Sequence, residues 1–467
     1  MRPSEVFIKD LLITGFANEG RSIAHVDGKV IFVKGAVPGD VVNVRVLKNK
    51  SDYIEAEVAE VVQQSADRQQ PFCPHFGPCG GCQWQHMRYA AQLAYKEAAV
   101  FDTLERVGKV RIQQKLSIVG ADQDRYYRNK LEFTFSHREW LPADLFQSKI
   151  AAAHPPALGY HLPGAFDRVF DVKTCYLQPH LSDRIRLAIR EFTLEHGYDY
   201  FDLRKQTGLM RNVIIRMTTT GEVMVVVIFT SDEKEKISAL LEYLICQFPE
   251  ITSLLYVLNS KKNDSIYNLE VFKYYGNDVL RERIGELSFR ISAQSFFQTN
   301  TRQAEKLYDG VKRFAALNGD EIVYDLYTGT GSIALYLADS CKKVIGIEQL
   351  DQAIIDAKIN AIINDISNVS FYTSDIGKTL NNSFVNQHGQ PDVVITDPPR
   401  AGMPGTVISE LLKMLSPKIV YVSCNVATQA RDLQLLSEKY TIKRSQAFDL
   451  FPQTHHVENV VELITSA

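Results

Sequence analysis

Residues 321–348 read EIVYDLYTGTGSIALYLADSCKKVIGIE, and this stretch decides the fold. The apolar run Glu321 to Leu326 predicts a buried strand, and Ile333 to Ala338 a helix. Between them lies Asp325-Leu326-Tyr327-Thr328-Gly329-Thr330-Gly331-Ser332, where two glycines let the backbone turn tightly and approach a ligand closely. A second strand, Lys343 to Ile347, ends in Glu348, a carboxylate suited to two ribose hydroxyls. A third, from Val369 to Tyr372 and beyond, ends at Asp375, where a polar side chain can meet an adenine edge. The loop departs from the dinucleotide pattern G-x-G-x-x-G. An acidic strand end before a short glycine loop suits S-adenosylmethionine, which has no pyrophosphate to cradle. Alone, the same turn also fits a purely structural left-handed bend.

Strand and helix alternate cleanly from 286 to 467, with Val393 to Thr396 and Ile419 to Ser423 as further strands. That pattern predicts an α/β domain of the Rossmann-like, doubly wound parallel type. Upstream, 66–285 reads as a central α+β domain with strand-like runs Leu131 to Ser136, Asn212 to Thr218 and Glu222 to Thr230. The pattern Tyr89 to Val107 is helical, and a helix over 89–112 is expected to dock on the catalytic domain. Residues 1–65 read as an OB-like β-barrel, with an Asp27-Gly28 hairpin signal between short apolar strands.

Two later segments carry chemistry. Val393-Val394-Ile395-Thr396-Asp397-Pro398-Pro399-Arg400-Ala401-Gly402 runs a strand into a loop stiffened by two prolines, holding Asp397 at the sheet edge. Methyltransferases that act on exocyclic amines follow a similar Pro-Pro with a stacking aromatic; Arg400 stands there instead. Ile419-Val420-Tyr421-Val422-Ser423-Cys424-Asn425 then places a thiol at the end of a buried strand. A lone intracellular cysteine is commonly inert core. Beside a methyl donor, however, a thiolate that adds to carbon 6 of uracil would make carbon 5 nucleophilic, splitting one hard step into easier ones. The carbon-5 proton then needs an acceptor. In Phe451-Pro452-Gln453-Thr454-His455-His456-Val457-Glu458-Asn459 that is Glu458, with His455 and His456 as partners or alternatives.

Together, Asp-Leu-Tyr-Thr-Gly-Thr-Gly, Thr-Asp-Pro-Pro-Arg-Ala-Gly, Val-Ser-Cys-Asn and His-His-Val-Glu-Asn resemble the RNA uracil-5 methyltransferase family, and the amino-terminal barrel resembles a TRAM domain. The resemblance covers nearly the whole chain. It implies Cys424 as nucleophile and Glu458 as proton acceptor. It also implies S-adenosyl-L-methionine contacts from Gln298, Tyr327, Ser332, Glu348, Asp375 and Asp397, with Ser332 standing where some members carry Asn. Phe296 and Phe297 offer either a stacking face for a flipped base or core packing.

Cys73, Cys79 and Cys82 lie in a Pro- and Gly-rich loop, with Cys175 far downstream. Four thiolates can hold zinc or an iron–sulfur cluster. The resemblance to the family's iron–sulfur branch implies a 4Fe–4S cluster with a structural or RNA-positioning role. Cys246 and Cys341 sit in apolar settings and read as core. Arg125, Arg128 and Lys130, interleaved with Tyr126 and Tyr127, combine phosphate-binding cations with stacking rings, or form a solvated face.

The barrel and cysteine cluster resemble the family's ribosomal branch, which implies a uridine in 23S ribosomal RNA, expected in a stem-loop, with transfer RNA or a non-catalytic RNA-binding or remodelling role as alternatives. A net charge of −3 excludes a wholly cationic coat, not a local basic surface. The longest apolar run, Val223 to Phe229, is far short of the roughly 20 residues of a bilayer span. With no signal-peptide pattern at the start, the sequence predicts a cytoplasmic protein, off the membrane and without an obligate protein partner.

Overall fold

The structure, a computed structural model, describes residues 6–17, 20–140, 155–162 and 165–466, with the side chains of 165–167 excepted. The first five residues of the expected barrel lie outside that set.

The amino-terminal sheet has six strands in the order Phe7–Leu12, Val41–Asn49, Tyr53–Gln63, Lys29–Lys34, Ser22–Val26, Gly15–Phe16. Asp27 (φ 49°) and Gly28 (φ 79°) both take the left-handed backbone of a two-residue hairpin turn, as their sequence predicts. Alternate residues Ile31, Val33, Val42 and Val44 point inward to a small core of their own.

The central sheet has seven strands, ordered Ala165–Asp171, Ala157–Leu162, Lys130–Ser136, Met210–Met217, Val223–Phe229, Ser253–Leu258, Val271–Gly276. Every pairing is antiparallel except that of Val223–Phe229 with Ser253–Leu258, which the helix Lys234–Gln247 joins. All seven residues of Val223–Phe229 are buried, which explains the unbroken apolar run. One face packs on the central helices through Val225 and Val227. The other, through Met224, Val226 and Ile228, shares a core with Phe297, Leu307 and Val311 of the carboxy-terminal half.

The carboxy-terminal sheet has eight strands: Val369–Thr373, Lys343–Glu348, Ile322–Leu326, Val393–Thr396, Lys418–Ser423, Glu458–Thr465, Tyr440–Phe448, Ile112–Val119. The first five are parallel and strand order reverses beside Ile322–Leu326, so loops from adjacent strands open a crevice at their carboxyl ends.

Four expectations need correction. The sheet is not wholly parallel, because Glu458–Thr465 runs antiparallel to both neighbours. The helix expected over 89–112 ends at Val107, after Tyr89–Asp102 widens into a π turn, and the chain returns as the sheet's edge strand. A boundary between 285 and 286 would cut the hairpin of Val279–Ile284 with Leu287–Ser292. Cys246 is exposed, while Cys341 is buried.

Among the described residues, no helix is long and apolar enough to cross a membrane.

Candidate active site

The glycine loop follows Ile322–Leu326 as the sequence predicts. Thr328 Oγ1 donates to Asp325 Oδ2 at 2.5 Å, and Gly329 N donates to Glu348 Oε2 at 3.2 Å, closing the loop against the next strand's end. Glu348 Oε1 also accepts from the backbone of Gln349 (2.7 Å) and Leu350 (3.1 Å). At Gly331 (φ 80°) an added Cβ would meet Phe371 Cζ at 2.9 Å, so only glycine fits; at Gly329 (φ 56°) a Cβ would meet nothing within 4 Å, leaving open space beside the loop. Tyr327 holds an unusual left-handed backbone (φ 63°), and its buried hydroxyl has no hydrogen-bond partner. A buried hydroxyl left unsatisfied beside an open loop is what a missing ligand would leave.

Burial pushes Asp325 up to about 7, with Glu348 adding to the shift. Asp375 caps the short helix Ile376–Thr379, accepting from Lys378 N at 3.2 Å, and lies near enough to the Tyr327 hydroxyl to raise its pKa. Ser332 Oγ pairs with Tyr308 Oη at 2.9 Å. Gln298 is buried, and its backbone carbonyl accepts from Asn129 Nδ2 at 2.8 Å.

The second half of the site comes from sheet register. Ser423 pairs with Asn459, which sets Cys424 at one strand's end beside Glu458 at the start of its antiparallel neighbour. Glu458 is buried, 3% exposed. Lost hydration holds its carboxyl well above the usual range, Asp397 pushes the same way, and Arg400 opposes both. Asp397 is itself raised to about 7 by burial, then by Asp325. Burial, and then the carboxylates of Glu458 and Asp397, push the Cys424 thiol up to about 11, with Arg400 again opposing. One thiol, two carboxyls and a guanidinium thus lie close enough to act on one another's ionisation, and such a set can perform nucleophilic addition and proton transfer. The action of Arg400 on Cys424 and of Asp325 on Asp397 is not visible in sequence, because each pair lies far apart in the chain. The expectation for Phe296 and Phe297 divides: Phe297 packs on Phe289, while Phe296 is 65% exposed.

The histidines lie beside these groups. Burial and His455 push His456 down to about 3, so it stays neutral. His455 Nδ1 is paired with Gln83 Oε1 at 2.8 Å. In the 125–130 segment, the Tyr127 hydroxyl turns inward to Pro452 O (3.0 Å) and Arg125 stacks on Phe72. Tyr126, Arg128, Asn129, Thr218 and Arg302 line a groove at the edge of the central sheet.

Among the described residues, no three His, Cys, Asp or Glu side chains form a ready metal site. The three loop thiols and Cys175 are neighbours all the same, since Cys175 adds to the raised pKa of Cys73, Cys79 and Cys82. Burial, the larger cause, takes Cys79 to about 11 and Cys82 to about 12. Four soft donors, all at least partly buried, match the donor chemistry of an iron–sulfur cluster or zinc.

Fold and site together define an S-adenosylmethionine-dependent methyltransferase that acts on RNA. Residues 215–466 match the tRNA (uracil-5-)-methyltransferase family and residues 7–59 the TRAM domain; the chain belongs to that methyltransferase family. An uncharacterized RNA methyltransferase of Bacteroides thetaiotaomicron is 49% identical over 450 residues, covering 96% of this chain and 99% of its own. One of Porphyromonas gingivalis is 49% identical over 459 residues, covering 97% and 99%. The crystal structure of Pyrococcus abyssi tRNA (uracil-54, C5)-methyltransferase with S-adenosyl-L-homocysteine superposes with a TM-score of 0.74 at 25% identity, covering 98% of this chain and 100% of that one.

Proposed function

We propose that this enzyme methylates carbon 5 of a uridine in 23S ribosomal RNA, in the cytoplasm, through a covalent bond between Cys424 and carbon 6. The observation that carries the reading is the convergence of Cys424, Glu458 and Asp397, close enough to shift one another's ionisation, with Asp325 of the glycine loop acting on Asp397. Cys424 releases its proton to water and adds Sγ to carbon 6, and the electron pair moves to the carbon-4 oxygen as an enolate. Carbon 5 attacks the methyl group of S-adenosylmethionine, releasing S-adenosylhomocysteine. Glu458 takes the carbon-5 proton, the 5,6 double bond re-forms, and the Sγ–carbon 6 bond breaks. Glu348 and Asp375 would take ribose and adenine, with Tyr327, Gln298, Ser332 and Asp397 completing the donor site. Cys73, Cys79, Cys82 and Cys175 would hold a 4Fe–4S cluster that supports the loop and supplies no electrons to methyl transfer.

The raised carboxyls bear on donor binding. A sulfonium beside Asp397 and Glu458 favours their ionised forms, so binding at neutral pH releases a proton and affinity rises with pH through about 7. S-adenosylhomocysteine, with a neutral sulfur, should show much less of this. Calorimetry in two buffers of different ionisation enthalpy measures the release; equal release with both ligands would contradict the arrangement.

What favours ribosomal over transfer RNA is the resemblance of barrel and cysteine loop to the family's ribosomal branch. The Pyrococcus abyssi likeness favours the second reading, a transfer-RNA uridine. Mass-spectrometric mapping of both RNAs from a deletion strain decides: one 5-methyluridine missing from 23S ribosomal RNA is expected, and loss confined to transfer RNA would overturn the ribosomal assignment. Iron and sulfide assays on anaerobically purified protein test the cluster, and tetrahedral zinc without sulfide would reject it.

A further inference from the structure

Gln453 lies five residues before Glu458 and is fully buried. Its backbone is left-handed (φ 69°), a state that a residue with a Cβ keeps only when its surroundings hold it there. Every polar group of Gln453 is paired, and the partners come from three distant segments. Its carbonyl accepts from Gln83 N (2.8 Å) and Trp84 N (3.0 Å), directly after Cys82. Gln92, on the helix Tyr89–Asp102, pairs with it twice: Gln453 N donates to Gln92 Oε1 and Gln92 Nε2 to Gln453 Oε1, both at 3.0 Å. Gln453 Nε2 donates to Asp124 Oδ2 at 2.9 Å, on the segment leading into Tyr126 and Arg128.

The same helix face holds the start of the loop. Lys96 Nζ, fully buried, donates to Asp449 Oδ1 (2.7 Å) and Phe451 O (3.1 Å), and Tyr89 Oη donates to Asp449 Oδ2 (3.0 Å). Residues 89, 92 and 96 fall on one side of a helix, so a single stripe grips the chain before Glu458. The Glu458 carboxylate, by contrast, feels burial, Asp397 and Arg400 through space. Its position is set by strand pairing with Phe448 and by the backbone that leads into it.

We propose that Gln453 is a positioning residue for proton removal from carbon 5, keying the loop that carries Glu458 to the cysteine loop, the docking helix and the Asp124 segment. The inference rests on the reading of Glu458 as proton acceptor. Proton transfer needs heavy atoms within about 2.6–3.2 Å, and a displacement of about 1 Å can cost on the order of 10²-fold. Addition of Cys424 and methyl transfer depend on a different strand end and should be spared.

The test is single-turnover reaction with radiolabelled methyl donor and ordinary RNA, following methyl incorporation and decay of the denaturation-resistant protein–RNA adduct separately. In Gln453→Met, methyl incorporation stays near the wild-type rate, the adduct persists, and kcat falls on the order of 10²-fold with both KM values little changed. Gln92→Leu, which removes the same pair from the other side, gives the same split and decides the matter if Gln453→Met does not fold. Incorporation and release that slow together, or neither slowing, would overturn the positioning role. Glu458→Gln is the reference: if it holds no adduct, the acceptor reading itself fails. An adduct in Glu458→Gln without one in either glutamine variant sinks only the present inference.

Discussion

Cys424→Ala loses methylation by on the order of 10⁴-fold or more while still binding S-adenosylmethionine. The size follows from the chemistry. Carbon 5 of an intact uracil is a poor nucleophile, and no other side chain at Cys424's position can saturate the 5,6 bond first. The thiol is costly to ionise, because burial and two carboxylates push it to about 11. Arg400 opposes that rise. The sulfonium would oppose it as Arg400 does, so the nucleophile is readied when the donor is in place. Methyl transfer from labelled donor into a defined transcript measures the loss. Residual turnover within tenfold of wild type would show that the ring is activated some other way.

The second large effect is that of Glu458→Gln, which keeps shape and removes the basic oxygen. Turnover falls by roughly 10²–10⁴-fold, the usual reach of a positioned general base. Unlike the cysteine variant, it retains the covalent RNA adduct, because addition and methyl transfer precede proton loss. Removing a negative neighbour also lowers the cost of a thiolate at Cys424, so adduct formation is no slower than in the wild type. Normal turnover by Glu458→Gln would remove this residue from the scheme and turn attention to Asp397, whose carboxyl lies close enough to act on Cys424.

Much of this was legible in sequence because the relevant contacts are local. The order strand, glycine loop, helix, strand, acid over 321–348 needs only hydrophobic period and turn chemistry, and the structure follows it. Cys424 and Glu458 are each visible as polar residues at a strand terminus; their meeting depends on the pairing of Ser423 with Asn459, which no local pattern encodes. The edge strand Ile112–Val119 was hidden for the same reason, since it joins a sheet whose other strands begin two hundred residues later. Gln453 was the least visible. Its partners Gln83, Gln92 and Asp124 lie more than 300 residues upstream, and its side chain is a plain amide.

The cysteines show how pattern and geometry differ. Leu240, Leu241 and Leu244 form the buried face of Lys234–Gln247, and Cys246, two residues and about 200° further round, faces out. Cys341 instead donates to Leu337 O at 3.5 Å from within the core. At Phe296 and Phe297, adjacent side chains diverge, one to solvent and one to Phe289, leaving only Phe296 exposed enough to meet a base.

The account stands or falls on where the enzyme bonds to its substrate. Incubation with 5-fluorouridine-containing RNA and S-adenosylmethionine, followed by nuclease digestion and peptide mass spectrometry, reads that directly, because fluorine at carbon 5 cannot leave as a proton does. The account predicts one stable nucleotide adduct on the peptide carrying Cys424, absent from Cys424→Ala. An adduct on any other residue, or one that survives in Cys424→Ala, would contradict it.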